Sequence, residues 1–433
     1  MIELKGKFET AKVFTDTADG ETISQIYDLL SSNLAINSKI RIMPDTHAGK
    51  GNVIGLTMTL HDKVAPSLVG SDIGCGVLHV AFETSQRLDL SILDENIRNL
   101  VPYGFRGNDI DLLGEQIKRN VEYLVKRLRF VNSSNMSKVV TGALRSIGTL
   151  GGGNHFIEVG QSTTYNDDTE NSYLYHLIIH TGSRTLGGMM YKHYESLSQN
   201  EEYNRFIRER EATISVLKKT KQEHMIADTL KTHKEEFLKT SNIDKTIKYL
   251  TGKDMEDYLH DIAIVQQFAK MNRDEIANKI LFSIYSLRQH AKTLKLSIDK
   301  PHNYVDVKRG ILRKGAQSGE KGEMVLIPIN MKDGTIIGVA KGEEDWNYSA
   351  PHGAGRLKSR TQAVKEIDLD AFKEEMKGIY SSTIGEETLD EAPGAYKPIN
   401  EILNNISGNI DVLDIIKPIY NFKGGKEYEK RDK

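Results

Sequence analysis

The sequence predicts an α/β (α+β) protein, a single large body of mixed β-sheets flanked by helices, with a helical insertion at 195–295. Three observations carry that expectation. Residues 1–160 are glycine-rich and alternate short apolar runs with turns, the texture of strands and tight connections. Between about 190 and 295 glycine becomes scarce and Lys, Glu, Gln and Arg dominate, the texture of helices. From about 300 the first texture returns. Polar glycine-rich loops on both sides of the helical stretch imply one catalytic body over 1–433, not two independent domains.

The elements follow in order. Residues 40–43 and 52–60 read as strands flanking a Pro-Asp/Gly loop. Within 110–130, Ile117, Val121, Leu124, Val125 and Leu128 share one stripe of a helix. Residues 173–180 form a buried strand running into Thr181-Gly182-Ser183-Arg184. Residues 200–250, the most polar part, read as a helical hairpin projecting from the body, and 258–287 as one long helix or two. Residues 324–329 and 335–340 are strands. The charged end, 423–433, is expected to be loosely held.

Composition limits the function. The chain has 38% apolar and 27% charged residues, which separates it from disordered and membrane classes. No run of about 18 apolar residues predicts a membrane span, and residues 1–7 lack the apolar core of a secretory signal. With one cysteine, no intrachain disulfide can form, so a cytoplasmic protein is expected. A net charge of −2 supplies no overall basic field for nucleic acid and leaves only local basic grooves. Lys126-Arg127-Leu128-Arg129, and Lys308-Arg309 with Arg313-Lys314, read as solvated faces.

The single cysteine, Cys75, lies in Gly70-Ser71-Asp72-Ile73-Gly74-Cys75-Gly76-Val77. Glycines allow a tight turn and close approach, while Asp and Cys offer a hard oxygen and a soft sulfur to a metal. A small buried hydrophobe beside a turn is the plain alternative. Four further segments share its grammar, an apolar strand followed by a glycine loop bearing His or Asp. They are Met43 to Gly51, Gly148 to Glu158, His180 to Arg184, and Ser349 to Arg356. Lys300-Pro301-His302-Asn303 places another histidine after an apolar stretch. Each histidine alone is more often packed or exposed than functional. Loops at strand ends are nonetheless where polar groups converge, and Asp72, Cys75, His155, His180 and His302 together suffice for two cations. No HExxH or paired CxxC pattern occurs.

His352 stands apart. Pro351 restricts Ala350 to extended backbone, glycines at 353 and 355 open space around the ring, and Arg356 follows at a spacing suited to a phosphate. A neutral imidazole can attack phosphorus; an anion-binding His–Arg loop without covalent chemistry is the alternative. Gly151-Gly152-Gly153 resembles a phosphate loop but lacks the Lys-Ser/Thr of a P-loop.

In combination, Asp-Ile-Gly-Cys-Gly, Gly-Asn-His-Phe-Ile-Glu, His-Thr-Gly-Ser-Arg and His-Gly-Ala-Gly-Arg resemble the RtcB family of RNA ligases, the tRNA-splicing 3′-phosphate/5′-hydroxyl ligases, over nearly the whole chain. The resemblance implies an RtcB-like fold and a GTP- and Mn²⁺-dependent enzyme. It joins RNA 2′,3′-cyclic phosphate or 3′-phosphate ends to 5′-hydroxyl ends. By that resemblance Cys75 bridges two Mn²⁺ ions, His155 and His180 complete one site, and Asp72 and His302 the other. His352 takes GMP covalently. Asn154, Phe156, Glu158, Asn303, Gly353, Ala354, Gly355, Arg356, Tyr396 and Lys423 hold the guanine nucleotide, and Arg184 and Arg356 balance phosphate charge. Asp45 and His47 read as scaffolding. One stretch departs from the family: Asn330-Met331-Lys332-Asp333-Gly334-Thr335 replaces a Gly-Ser-Met-Gly-Thr loop, as in a divergent branch, which bears on nucleotide choice. The competing expectations are a Mn²⁺-dependent phosphoesterase acting on RNA ends without ligation, and a non-catalytic RNA-end binder.

Overall fold

The computed structural model describes residues 1–165, 172–198, 201–220, 222, 225–240, 247–287 and 292–424. Two sheets organise it. A seven-stranded antiparallel sheet runs in the order Lys292–Pro301, Gly76–Thr84, Tyr173–Thr181, Phe156–Ser162, Ile410–Lys423, Gly334–Ala340, Met324–Asn330. A six-stranded sheet runs Ile2–Lys5, Thr10–Val13, Ile40–His47, Ile54–Thr59, Ile311–Lys314, Asn303–Asp306, and only its second and third strands pair in parallel. The central strands are rich in β-branched and aromatic residues. Leu177, Ile178 and Ile179 in succession are fully buried, because both faces of that strand are covered.

The cover between the sheets is one helix, Gly252–Leu287, of 36 residues. Its Ile262, Val265 and Phe268 enter the core beneath the six-stranded sheet, and Ile276 and Ile280 enter the core of the seven-stranded one. This part of the 195–295 stretch therefore lies inside the body. The helices Glu201–Lys219 and Ile226–Thr240 pack on each other, as a hairpin would.

Three local expectations need correction or narrowing. The helix in 110–130 spans only Glu115–Lys126, because Asp109 caps a separate short turn at Ile110–Leu112 and Gly114 intervenes. Arg313 and Lys314 are buried, not solvated: Ile311–Lys314 is an interior strand of its sheet. Arg313 donates to Ser349 Oγ (2.8 Å), Tyr304 Oη (2.9 Å) and the Tyr348 carbonyl (3.1 Å). Lys314 donates to the Lys50 and Ser67 carbonyls, and burial brings its ammonium down to about 8. Lys308 and Arg309 are exposed as expected. Lys423 is not loose, since it closes the strand Ile410–Lys423 and is buried; residues 425–433 lie outside the described set.

The long helix also staples the sheet edge that matters below. Arg273, 1% exposed on its side chain, donates to the carbonyls of Gly74 (2.8 Å) and Thr181 (2.9 Å) and pairs with Asp299 at 2.5 and 3.0 Å. Asn272 beside it donates to the Gly182 carbonyl at 2.9 Å. Arg273→Met strands a carboxylate and two carbonyls, and is expected to cost about 3–5 kcal/mol, read as a lower urea midpoint. An unchanged midpoint contradicts the staple.

Candidate metal and nucleotide site

Four neighbouring strands end together on one edge of the seven-stranded sheet. Pro301 pairs with Gly76, Gly76 with Thr181, and Phe156 with His180. His302, Cys75, His180 and His155 lie within one residue of those pairs, so strand register alone brings them together. Asp72 joins them through a tight turn in which the Cys75 N–H donates to the Asp72 carbonyl (3.2 Å) and Gly74 takes φ of +70°.

The donor atoms converge. Cys75 Sγ lies 3.2 Å from His180 Nε2 and 3.5 Å from His155 Nε2. His155 Nε2 is 2.8 Å from Asp72 Oδ2, and His180 Nε2 is 3.1 Å from His302 Nε2. On the far side of each ring a carbonyl fixes the tautomer. His155 Nδ1 faces Leu150 O (2.8 Å), and His180 Nδ1 donates to Asn154 O (3.0 Å), which leaves the His180 Nε2 a lone pair. Two triads could hold a metal ion, Cys75–His180–His302 and Asp72–Cys75–His155, the ligand atoms within each lying within 4.8 Å of one another. This grouping differs from the expected one, which paired His155 with His180 and Asp72 with His302. Asp72 meets the Nε2 of His155, while His180 and His302 face each other across the neighbouring strands. Cys75 belongs to both triads, as a bridging thiolate would.

The residues fit a pair of divalent cations. Burial, then the neighbouring imidazoles, hold His180 and His302 well below the usual histidine range, so these rings are neutral. The His180 Nε2 lone pair faces both the Cys75 sulfur and the His302 Nε2, a convergence of donor atoms that suits a cation. Burial and Asp72 raise the Cys75 thiol well above its ordinary value, and a bound cation reverses that. Burial acts to raise Asp72, but His155 and Arg184 outweigh it and bring the carboxyl down to about 2. Thiolate, imidazole and carboxylate together suit first-row divalent metals.

His352 stands beside this cluster, its ring centroid 4.7 Å from that of His302. Asp45, fully buried in the strand Ile40–His47, holds it. One carboxylate oxygen, Oδ2, accepts three N–H groups: His352 Nδ1 at 2.6 Å, the His352 backbone at 3.0 Å and the Gly353 backbone at 3.1 Å. The imidazole is thereby oriented with Nε2 free. Gly355, at φ +78°, lies against the Asp45 backbone; a Cβ there would come 2.2 Å from its carbonyl oxygen. His47 Nδ1 donates to that same carbonyl (3.0 Å), and burial lowers its ring to about 4.

His180, His302 and His352 open into a cavity of about 670 Å³. Asn154, Phe156, Glu158, Asn303, Gly353, Ala354, Gly355, Arg356, Tyr396 and Lys423 all line it, so every residue expected at the nucleotide shares one space. Asn330, Met331 and Gly334 line it as well, which puts the divergent 330–335 stretch on the cavity wall. Among the lining residues that sequence reasoning missed, Glu391, Arg360 and Asn421 bear most on the chemistry. Glu391 is a hub. It accepts from Lys423 Nζ (2.6 Å), Tyr396 Oη (2.6 Å), Arg360 (2.7 Å) and Arg356 (3.2 Å). Burial opposes its charge, yet Lys423, Arg360 and Arg356 bring it to about 2. Arg356, expected to face a phosphate, instead shares its charge with Glu391 and donates to carbonyls of Lys358 and Asp390. Arg184 lies on the other side of the cluster, bonded to Gly104 O (2.9 Å). Glu158 receives Asn421 Nδ2 at 3.1 Å on one oxygen, its other oxygen has no partner among the described residues, and burial raises it to about 8.

The Glu391 hub sets a pH dependence. Its carboxyl lies at about 2 in the fold against an ordinary 4.5, so its stabilisation is complete above 4.5 and lost as pH falls towards 2. Glu391→Gln is expected to be less stable at neutral pH and to lose less between pH 4.5 and 2 than the wild type. Parallel thermal midpoints for the two proteins across that window contradict this.

Residues 28–424 match the protein family described as tRNA-splicing ligase RtcB. The chain is 27% identical over 422 residues to the RNA-splicing ligase RtcB of Escherichia coli (strain K12), covering 89% of this chain and 90% of that one. It is 27% identical over 431 residues to the tRNA-splicing ligase RtcB of Aeropyrum pernix, covering 83% and 82%. To that of Thermococcus kodakarensis it is 25% identical over 447 residues, covering 88% and 87%. With its motifs at the ends of adjoining strands and its match running nearly end to end, the chain belongs to the RtcB family of ligases, as a divergent member.

Proposed function

We propose that this ligase joins RNA 3′-phosphate or 2′,3′-cyclic phosphate ends to 5′-hydroxyl ends, using GTP and two Mn²⁺ ions, through GMP carried on His352. The observation that supports it best is the Asp45–His352 pair, with a free Nε2 directed beside the cation cluster at the cavity. When bound, the cations would offset phosphate charge and lower the pKa of a water that opens cyclic ends.

The protein's own groups supply the rest. His352 Nε2 attacks the α-phosphorus of GTP; an N–P bond forms, the anhydride P–O bond breaks and pyrophosphate leaves. Asp45 takes the growing positive charge of the ring through Nδ1–H. An oxygen of the RNA 3′-phosphate then displaces His352 from the GMP phosphorus, leaving the RNA end activated. The 5′-hydroxyl oxygen attacks that RNA phosphorus, its proton passes to solvent, and GMP departs. Glu158 and Asn421 offer paired polar groups to a base, Phe156 its ring face, and Lys423 with Arg360 positive charge at the wall.

The whole chain is read as one catalytic body, with Glu201–Lys219 and Ile226–Thr240 as the peripheral part of the 195–295 stretch. No helix among the described residues is long and apolar enough to cross a membrane. The cytoplasm, where a lone thiol stays reduced, suits this activity.

Incubation with labelled GTP and Mn²⁺ is expected to leave an acid-labile GMP adduct on the wild type and none on His352→Ala. Wild type without adduct overturns the ligation route; His352→Ala that still opens cyclic ends would favour the phosphoesterase. Metal analysis gives an independent check. Cys75→Ser is expected to lose both ions and His155→Ala one, because only sulfur belongs to both triads. One ion at full occupancy in Cys75→Ser contradicts the bridge.

A further inference from the structure

The cation cluster is approached from two sides. His180 and His302 face the large cavity. Asp72 does not line that cavity, and its side chain is 33% exposed. At this second opening stands Arg184, whose charge acts on Asp72 and Cys75 and whose guanidinium donates to the Gly104 carbonyl. Gly104 begins a loop pinned from both ends. Its N–H donates to Gly151 O (2.9 Å), and the Asn108 N–H donates to Arg145 O (2.8 Å). Beneath the loop, Tyr103 packs edge-on against the buried Phe422, with ring centroids 5.1 Å apart.

On this fixed loop Phe105 is 76% exposed. Single exposed apolar residues are ordinary on a protein surface, but this one sits between Gly104, whose carbonyl takes the Arg184 guanidinium, and Arg106. The Arg106 guanidinium lies 5.4 Å from the centre of the Tyr103 ring, and the exposed Arg145 comes against Gly107. A free aromatic face beside fixed guanidinium groups is what a single-stranded nucleic acid needs, with stacking for a base and charge for the flanking phosphates.

We propose that the loop at residues 103–108 is the platform for the RNA strand that carries the 3′ end, with a base near that end stacked on Phe105 and its terminal phosphate led past Arg184 to the Asp72 side of the cluster. This rests on RNA as substrate and deepens that reading. It places RNA and nucleotide on opposite sides of one cation pair, so that neither must leave for the other to enter.

The test is RNA affinity without GTP, which separates it from guanylylation. Anisotropy of a labelled, 3′-phosphorylated single-stranded octamer is measured on the full-length protein. Phe105→Ala is expected to weaken binding about 10-fold, with Phe105→Tyr retaining it. Phe282→Ala, which removes an equally exposed ring (74%) from the long helix, serves as the control and is expected to bind as wild type. Arg106→Ala is expected to flatten the salt dependence. Binding by Phe105→Ala within two-fold of wild type overturns the proposal, as does equal weakening by Phe105→Ala and Phe282→Ala. An absent GMP adduct alongside a weakened Phe105→Ala would sink the guanylylation route and leave the platform standing.

Discussion

Strand register at one sheet edge is the constraint on which this site depends. Cys75, His155, His180 and His302 come from segments as far apart as residues 75 and 302, yet each sits at the terminus of one of four adjoining strands. A ladder slip of one residue turns every side chain of a strand to the opposite face, so the hydrophobic pattern that fixes register also fixes the donor atoms. Arg273 and Asn272 reinforce this from the long helix by holding the carbonyls of Gly74, Thr181 and Gly182, each next to or near a ligand. The catalytic geometry is thus part of the core's packing, and loosening the core would loosen the cluster.

The site divides into two electrostatic halves. Around the cluster, burial keeps His180 and His302 neutral and resists ionisation of Cys75, so the groups await positive charge. At the far wall of the cavity the arrangement is reversed. Three cationic side chains surround Glu391, and one of them, Arg360, also pairs with Asp390, which leaves this group of side chains with one net positive charge. With metal bound at the cluster as proposed, a polyphosphate spanning the two halves would meet positive charge at both ends. Preorganised charge of this kind needs no rearrangement when the transition state forms.

Much of this was legible in the chain because glycine loops after apolar runs mark strand ends, and chemistry-bearing residues in such loops tend to converge. The five metal-ligand candidates and His352 emerged that way, as did the alternation of strand-rich and helical texture. The division of ligands between two triads was not legible, since it depends on which rings face across neighbouring strands. Glu391 and Asn421 were passed over because one closes a short helical turn and the other lies inside a strand, outside the glycine loops that marked the rest. Arg313 and Lys314 were misread because charged residues side by side usually mark solvent. Here the strand is interior, and backbone carbonyls with the Tyr304 and Ser349 hydroxyls stand in for water. The helix Gly252–Leu287 looked peripheral by composition because most of its charges, Asp261 and Arg273 apart, lie off its buried side, while that side joins two cores.

His352 and the cluster are held by different sheets, and Arg313 ties them together. His302 follows the last residue of a strand in the seven-stranded sheet, and Asn303 opens a strand of the six-stranded one. Asp45, which orients His352, belongs to that second sheet. Arg313, also in that sheet, bonds Tyr304 on one side and Ser349 on the other, linking the strand after His302 to the strand before His352. Any sliding of one sheet on the other must pass through this link, because His302 cannot shift towards the cluster without drawing Tyr304 and, through Arg313, the strand before His352 along with it. The 4.7 Å between the His302 and His352 rings is therefore set by buried hydrogen bonds on both sides of the seam. That explains why an arginine and its partners are buried where an apolar strand residue would have packed at lower cost.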